Sequence, residues 1–392
     1  MAQEKNVLYV GGFELPDRNA AALRVIANGK LFNRLGYEVT YIGVDKSDNF
    51  IESSIKKFKI DGFVFFTKAQ KYPDTNLNWF KFITDISFVK ETIEKDLNNK
   101  VDIIVAYNYP AITLKKLSNY SKKNNIKIIA DVSEWYEPQG NIIFRIIKGL
   151  DSNLRMNVFQ KQLDGIIAIS QYLYDYYKHN NVIKLPPLID KKSSKWEKTI
   201  NANGHGGIRL VYVGSPGNGQ KDRLDLIIRT LSGIKSQISE FEFIIVGITK
   251  NQYLEFFGQE SFPDNLKNNL IFLGRKPHLD SINEIKKSDF SIFLRDNNLV
   301  NTAGFPTKFV ESVSSGTPVL TNVSSNVTDY LEEGILGYII NTSTDKSLRS
   351  SLTKSLNLGL DNIKKMKESC SKFERFNYTY YLNDFKNFLS RL

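Results

Sequence analysis

At 392 residues the chain exceeds one compact domain and suits two of about 190 residues each. Its 53 basic and 42 acidic side chains give a net charge of +11, spread over both halves with no basic tail, which argues against nucleic-acid binding, where charge is concentrated and interleaved with aromatics. One cysteine, Cys370, and three scattered histidines, His179, His205 and His278, leave no pattern for a disulfide framework or a zinc site. The polar start MAQEKNVLYVGG lacks a signal-peptide pattern and no apolar run reaches membrane-spanning length. A cytoplasmic protein is expected, with a diffuse positive charge suited to phosphates and to an anionic membrane face.

In chain order, the first elements predicted are a strand from Val7 to Val10, the pair Gly11-Gly12, a helix from about Asn19 to Leu35 stopped by Gly36, and a strand from Glu38 to Val44. This βαβ start sets a glycine loop at the carboxyl end of a strand, where open α/β sheets bind ligands. The third glycine of the dinucleotide fingerprint is missing, and a tight turn without a ligand explains the pair equally well. Further strands are expected at Gly62–Phe66, Asp102–Ala106, Lys127–Ala130, Gly165–Ile169 and Val182–Leu185 with helical patterns between them, hence a parallel sheet covered on both faces.

Two loops after these strands stand out: Tyr107-Asn108-Tyr109-Pro110, and Asp131-Val132-Ser133-Glu134-Trp135-Tyr136-Glu137-Pro138. Aromatic rings suit the C–H faces of sugars, and carboxylates suit their hydroxyls. The bland alternative makes Asp131 a cap and Trp135 a core residue. Beyond them, Ile142, Ile143, Phe144, Ile146 and Ile147 alternate with Arg145 and Lys148, which reads either as a basic amphipathic turn on a membrane surface or as a buried helix face. Trp79-Phe80-Lys81-Phe82 carries the same ambiguity.

Pro186-Pro187 ends a first domain, 1–188, and the polar, aperiodic stretch through Gly207 is a linker, 189–207. A second domain, 208–372, opens with a strand from Arg209 to Val213, then Gly214-Ser215-Pro216-Gly217-Asn218-Gly219-Gln220-Lys221 ahead of a helix to about Ile234. A Walker loop is excluded, because no Gly-Lys-Ser/Thr follows. Strands Phe243–Val246 and Ile271–Leu273 come next, the latter ending in Gly274-Arg275-Lys276. A strand from Ser288 to Leu294 then enters a polar loop with Asn297, Asn298, Asn301 and Gly304, and Pro306 stands at the expected first turn of a helix that ends near Gly316. Strands at Pro318 to Leu320 and Gly337–Ile340, helices from Asp345, and a terminal aromatic segment, 373–392, complete the chain.

The stretch from Arg295 to Val319 carries the most chemistry. Free N–H groups at a positive helix end bind anions, phosphate above all. Lys308 in the first turn adds positive charge, and Glu311, one turn on, can accept hydrogen bonds from hydroxyls of the same ligand; as isolated residues the two read as a solvated helix face.

Taken together, GFPTKFVES followed by GTPV resembles the retaining glycosyltransferases of family 4, of GT-B fold, in the form found in bacterial surface-polysaccharide members, to which DVSEWYEP is also similar. The resemblance implies that Glu311 holds the donor ribose and that the loop Gly304, Phe305, Pro306 and Thr307 holds the donor sugar and phosphates, with Lys308 beside them. The first glutamate of the family's pair is absent: Ala303 stands eight positions before Glu311, so the donor sugar must be recognised otherwise, with Asn301 or Thr302 as candidates. The family's diphosphate-clamping arginine and lysine fall on Ser215 and Lys221, and Arg295 is expected to supply the charge lost at Ser215. Backbone at Gly274-Arg275-Lys276 would read the base. Gly12 would face the donor, while Arg24, a candidate phosphate contact, lines the acceptor side with Asn108, Trp135 and Tyr136. Asp131, Glu134, Arg295 and Lys221 are the catalytic candidates, and no nucleophile is evident.

The expected architecture is therefore two Rossmann-like parallel-sheet domains facing across a cleft, with the terminal helix returning to the first. The expected activity is metal-independent transfer, with retention, from a nucleotide-diphosphate sugar to a saccharide or lipid-linked saccharide. No Asp-x-Asp stands at a strand end, no cofactor is needed beyond the donor, for which UDP is favoured, and weak contact with a membrane surface is anticipated. The rivals are a GT-B subunit weakened in catalysis that partners another transferase, and a nucleotide-sugar epimerase.

Overall fold

A computed structural model of the chain describes residues 5–50, 54–135, 142–197, 207–216 and 221–392. They form two compact α/β units, Met1–Asp190 with Ala303–Phe305 and Asn377–Leu392, and Lys191–Thr302 with Pro306–Phe376. Tyr136, the loop glycines 217 and 219 and residues 198–206 of the linker lie outside the described residues.

The first unit holds eight strands: β1 (Lys5–Gly11), β2 (Tyr37–Asp45), β3 (Lys56–Ile60), β4 (Phe63–Lys71), β5 (Ile103–Tyr107), β6 (Lys127–Val132), β7 (Gly165–Ala168) and β8 (Val182–Lys184). Their order is β3-β4-β2-β1-β5-β6-β7-β8. The central strands are almost wholly buried, as expected where helices cover both faces of a parallel sheet and the strands read as continuous apolar runs. The helix Ala20–Arg34 starts where the Asn19 side chain accepts from the Ala22 amide at 2.8 Å, an ordinary N-cap.

The sheet is not parallel throughout. β3 pairs antiparallel with β4, and the two-residue turn between them, Asp61-Gly62, has φ of 48° and 84°. Positive φ at both central residues is what a tight type I′ hairpin demands, and Asp-Gly supplies it. The expected strand at Gly62–Phe66 is thus the beginning of a longer one, returned upon by an edge strand whose lysines, Lys56, Lys57 and Lys59, keep that edge from pairing further.

The second unit has six strands, β9 (Ile208–Val213), β10 (Phe241–Val246), β11 (Leu270–Gly274), β12 (Phe290–Phe293), β13 (Val319–Thr321) and β14 (Gly337–Ile339). They run parallel in the order β11-β10-β9-β12-β13-β14. In each unit the chain builds outward in one direction and then restarts on the other side of its first strand, between β1 and β5 and between β9 and β12. Such switch points open a crevice at the strand carboxyl ends, where ligands of open α/β sheets bind. The loops Gly11-Gly12 and Tyr107-Asn108 flank one switch point, and Gly214-Ser215 and Leu294-Arg295 the other.

The terminal segment completes the first unit's core. Phe385 packs edge-on against Phe32 at 4.8 Å, Tyr378 against Phe63 at 6.0 Å, and both belong to one buried cluster with Tyr9, Val105 and Ile129. Gly165 at the start of β7 leaves room for this segment, since a Cβ there would fall 2.7 Å from the Phe388 ring and 2.9 Å from Leu392.

Candidate active site

At the switch point of the second unit a buried carboxylate gathers two cations. Asp222, 2% exposed, accepts from Arg295 Nε at 2.9 Å through one oxygen, and through the other from the Tyr212 hydroxyl at 2.9 Å and from the Lys308 ammonium. Each partner is delivered by a different element: Tyr212 by β9, Arg295 by the turn after β12, and Lys308 by the first turn of the helix Thr307–Ser314. Asn322 clamps the Arg295 backbone, accepting its N–H at 2.9 Å and donating to its carbonyl at 2.7 Å. Gly214, with φ of 130°, passes so close to Lys308 that a Cβ would lie 2.9 Å from the ammonium; only glycine fits there at that φ.

Burial alone would raise the Asp222 carboxyl, but the charges of Lys308 and then Arg295 outweigh it and hold the group well below the usual carboxylate range. For Lys308 the balance tips the other way: burial pushes its ammonium down, Asp222 restores part of the shift, and the nearby Arg295 lowers it further. Two cations thus share one anion in a desolvated place, an arrangement prepared for additional negative charge. Asp222 had no role in the sequence reading, although it directly follows Lys221; nothing in a single Asp marks it as the meeting point of residues 73 and 86 positions further on.

Glu311, one turn after Lys308, is held by a residue that the sequence reading passed over. His278 Nε2 lies 2.9 Å from Glu311 Oε1, and His278 opens the helix His278–Lys287 just beyond β11 and Arg275. Arg275 is exposed. The loop before Glu311 also differs from expectation. Leu299–Ala303 forms a short helix, and Pro306 serves as N-cap, not first helical residue, its carbonyl accepting from Phe309 N at 3.0 Å. A proline can do this because a cap contributes its carbonyl and its N–H is not needed. Ala303, Gly304, Phe305 and Pro306 are buried and Thr307 half-buried. Asn301 is 1% exposed; its amide donates to the Asp296 carbonyl at 2.9 Å, while its Oδ1 has no partner among the described atoms. Ser215 is exposed and Lys221 half-buried.

The first unit has its own buried charge cluster, which corrects two expectations. Asp131, fully buried at the end of β6, accepts from Arg24 Nε and Nη2 at 2.9 and 2.7 Å, from Asn28 at 3.1 Å and from the Tyr9 hydroxyl. Arg24, 4% exposed, also donates to the Leu185 carbonyl at 2.9 Å. Arg24 and Asp131 therefore neutralise each other inside the fold, where a phosphate or a sugar hydroxyl would have to displace an existing partner. Burial, followed by the Asp131 charge, drives the Tyr9 phenol well above its ordinary range.

Around this cluster the loops are wired together. Asn108, at a φ of 43° that asparagine tolerates better than most residues, donates to Ser133 Oγ at 2.7 Å and accepts from Ser133 N at 3.1 Å. Trp135 meets Tyr176 edge-on at 5.3 Å. Glu134 is half-buried, and its charge adds to burial in pushing up the Tyr107 phenol. Gly12 is exposed with open space where a side chain would stand. Of the residues expected on the acceptor side, Asn108 and Trp135 keep some accessible surface, as does the catalytic candidate Glu134, whereas Arg24 is all but enclosed.

Two α/β domains, each built on a largely parallel sheet, are the architecture of the GT-B fold. Solved structures of that fold align over nearly the whole chain: HepE from Anabaena in complex with UDP and glucose (12% identity, TM-score 0.65, covering 99% of this chain and 100% of that one), sucrose-phosphate synthase from Thermosynechococcus elongatus (12%, 0.70, 99% of each), and alpha,alpha-trehalose 6-phosphate synthase from Burkholderia multivorans (10%, 0.65, 99% and 98%). At these identities the likeness shows the fold. Residues 198–375 match the family described as glycosyl transferases group 1, so this part of the chain is a glycosyltransferase domain. Among curated proteins none matches the chain in sequence.

Proposed function

We propose that the protein transfers a sugar, with retention and without a metal ion, from a UDP-sugar to a lipid-linked saccharide in surface-polysaccharide synthesis. The donor half of this reading is carried by the cluster of Lys308, Arg295 and Asp222 beside Glu311. Two cations are bonded to the one carboxylate of Asp222, with the Glu311 charge acting on Lys308 more weakly, so the pair can receive the departing diphosphate without a metal ion. Lys221, Ser215, Pro306 and Thr307 complete the donor site of the second unit, and Glu311 binds the ribose. UDP is the favoured nucleotide, in line with the UDP-glucose complex of HepE. Glu134, Asn108, Trp135 and Tyr136 serve the acceptor, with Asp131 and Arg24 fixing the loop that carries them.

A lipid-linked acceptor is favoured by the first unit's exposed apolar side chains. On the helix Ile142–Leu154 and its continuation, Ile146, Ile147, Leu150, Leu154 and Val158 are all exposed, mostly at steps of four residues, with Arg145 exposed among them. The helix Ala111–Lys123 packs against it, adding the exposed Ile112, and packs in turn against Asn76–Thr84, which adds Leu77 (78% exposed) and Phe80. Large apolar residues beside basic ones suit an anionic bilayer surface, and no described helix is long and apolar enough to cross a membrane.

The reading is tested by incubating the purified protein with UDP-sugars and a lipid-linked acceptor extract, with and without EDTA. Transfer that EDTA leaves unchanged is expected, and loss of all turnover with EDTA sinks the metal-independent mechanism. Co-sedimentation with anionic liposomes, reduced by salt and by Leu150→Glu, is the expected membrane result; equal recovery in the supernatant with and without liposomes favours a soluble acceptor.

A further inference from the structure

We infer that His278 is a positioning residue of the donor site: by binding Glu311 it fixes the carboxylate in the orientation that receives the ribose. This rests on the reading of Glu311 as the ribose ligand. Glutamate is among the residues with most rotamer freedom to lose on ordering, and Glu311 stands on a helix of only eight residues, half-buried. An unheld carboxylate there would have to be ordered by each incoming nucleotide. The bond from His278 Nε2 to Oε1 at 2.9 Å orders it beforehand. It occupies one oxygen and leaves Oε2 for a hydroxyl pair, since an ionised carboxylate accepts about four hydrogen bonds. Donation from Nε2 is open to the neutral ring with its hydrogen on that nitrogen and to the imidazolium alike.

The placement of His278 strengthens the case. It is the first residue of its helix, following Pro277 as N-cap, and three residues separate it from Gly274, where β11 ends. Its helix packs directly against the helix of Glu311. One side chain therefore links the segment expected to read the base with the carboxylate expected to hold the ribose, so that the two halves of the nucleoside meet a single preformed surface. Preorganisation of this kind raises affinity by removing an ordering cost, without adding a contact to the ligand.

UDP affinity by calorimetry and the donor KM and kcat, measured on the full chain in His278→Ala, His278→Gln, Glu311→Ala and the double alanine variant, form the test. His278→Ala is expected to weaken UDP binding and raise the donor KM by about five- to tenfold, the size of one ordinary hydrogen bond, with kcat nearly unchanged. His278→Gln, which retains an N–H donor, should recover most of it, and in the Glu311→Ala background the His278 change should have no further effect. Unchanged UDP affinity in His278→Ala, with Glu311→Ala clearly weakened, overturns the positioning role while the ribose reading stands. A His278 effect that persists in full without Glu311 also overturns it, since His278 would then touch the nucleotide itself. Unchanged affinity in Glu311→Ala removes the ribose reading on which the inference rests.

Discussion

The two units contain buried charge clusters of the same parts in different proportion. In the first, Asp131 faces the one cation Arg24, with Tyr9 and Asn28 donating to the same carboxylate; in the second, Asp222 faces both Arg295 and Lys308, with Tyr212 as the additional donor. Each sits at strand carboxyl ends near a switch point. A one-to-one cluster is electrically closed and has nothing to offer an anion. A two-to-one cluster is closed only when a further negative charge arrives, and desolvation makes that arrival worth more than it would be in water. Similar pieces thus yield a structural strut in one domain and a receptor for a diphosphate in the other.

The sharpest way to break this contrast is to open the closed cluster. Asp131→Ala leaves Arg24 buried without its counter-ion and is expected to cost about 3–5 kcal/mol of stability, measured by urea unfolding. A variant that unfolds at the same midpoint as the parent would show that Arg24 finds water and that the cluster is no strut. Next in size, Lys308→Ala should lower kcat by roughly 10²-fold, comparable to losing one donor to a developing negative charge, while Asp222 keeps Arg295 as partner and stability falls far less than for Asp131→Ala. Equal stability losses in the two variants would erase the distinction between strut and receptor.

A smaller effect separates nucleoside from diphosphate. Glu311→Ala should weaken UDP binding by about 1.5–3 kcal/mol but leave the affinity for inorganic pyrophosphate as it was, because that ligand has no ribose. The smallest effect is read at acid pH. The Asp222 carboxyl is held below its ordinary value of 3.8 in the folded chain, so its contribution is complete above that value and is lost as pH falls from there towards the folded one. Asp222→Asn should flatten the acid limb of the stability curve in that window alone; an unaltered limb would mean that the cations do not hold the carboxylate.

Much of the scaffold was legible because buried parallel strands write themselves as apolar runs: Val7 to Val10 and Glu38 to Val44 fall on observed strands, and Asp102 to Ala106 does so but for its first residue. The hairpin of β3 and β4 was missed because an edge strand rich in lysine looks like a polar loop, although Asp61-Gly62 was the turn to look for. Within the site, residues close in sequence such as Lys308 and Glu311 could be placed on one helix from spacing. Pairings across long separations could not: Arg24 and Asp131 lie 107 positions apart, and His278 and Glu311 lie 33 apart. Spacing has no periodicity for such contacts, which the order of the strands decides.

The return of residues 377–392 to the first unit has a consequence for how the chain is made. Phe385 and Phe388, with Tyr378 and Tyr381, close a core whose other buried members are translated before residue 190. At about 5–20 residues per second, the second unit takes roughly 10–40 s to leave the ribosome, and for that interval the surface around Phe32 and Gly165 lacks its cover. The domain begun first is finished last, so its early life depends on whatever shields that apolar surface while the remainder of the polypeptide emerges.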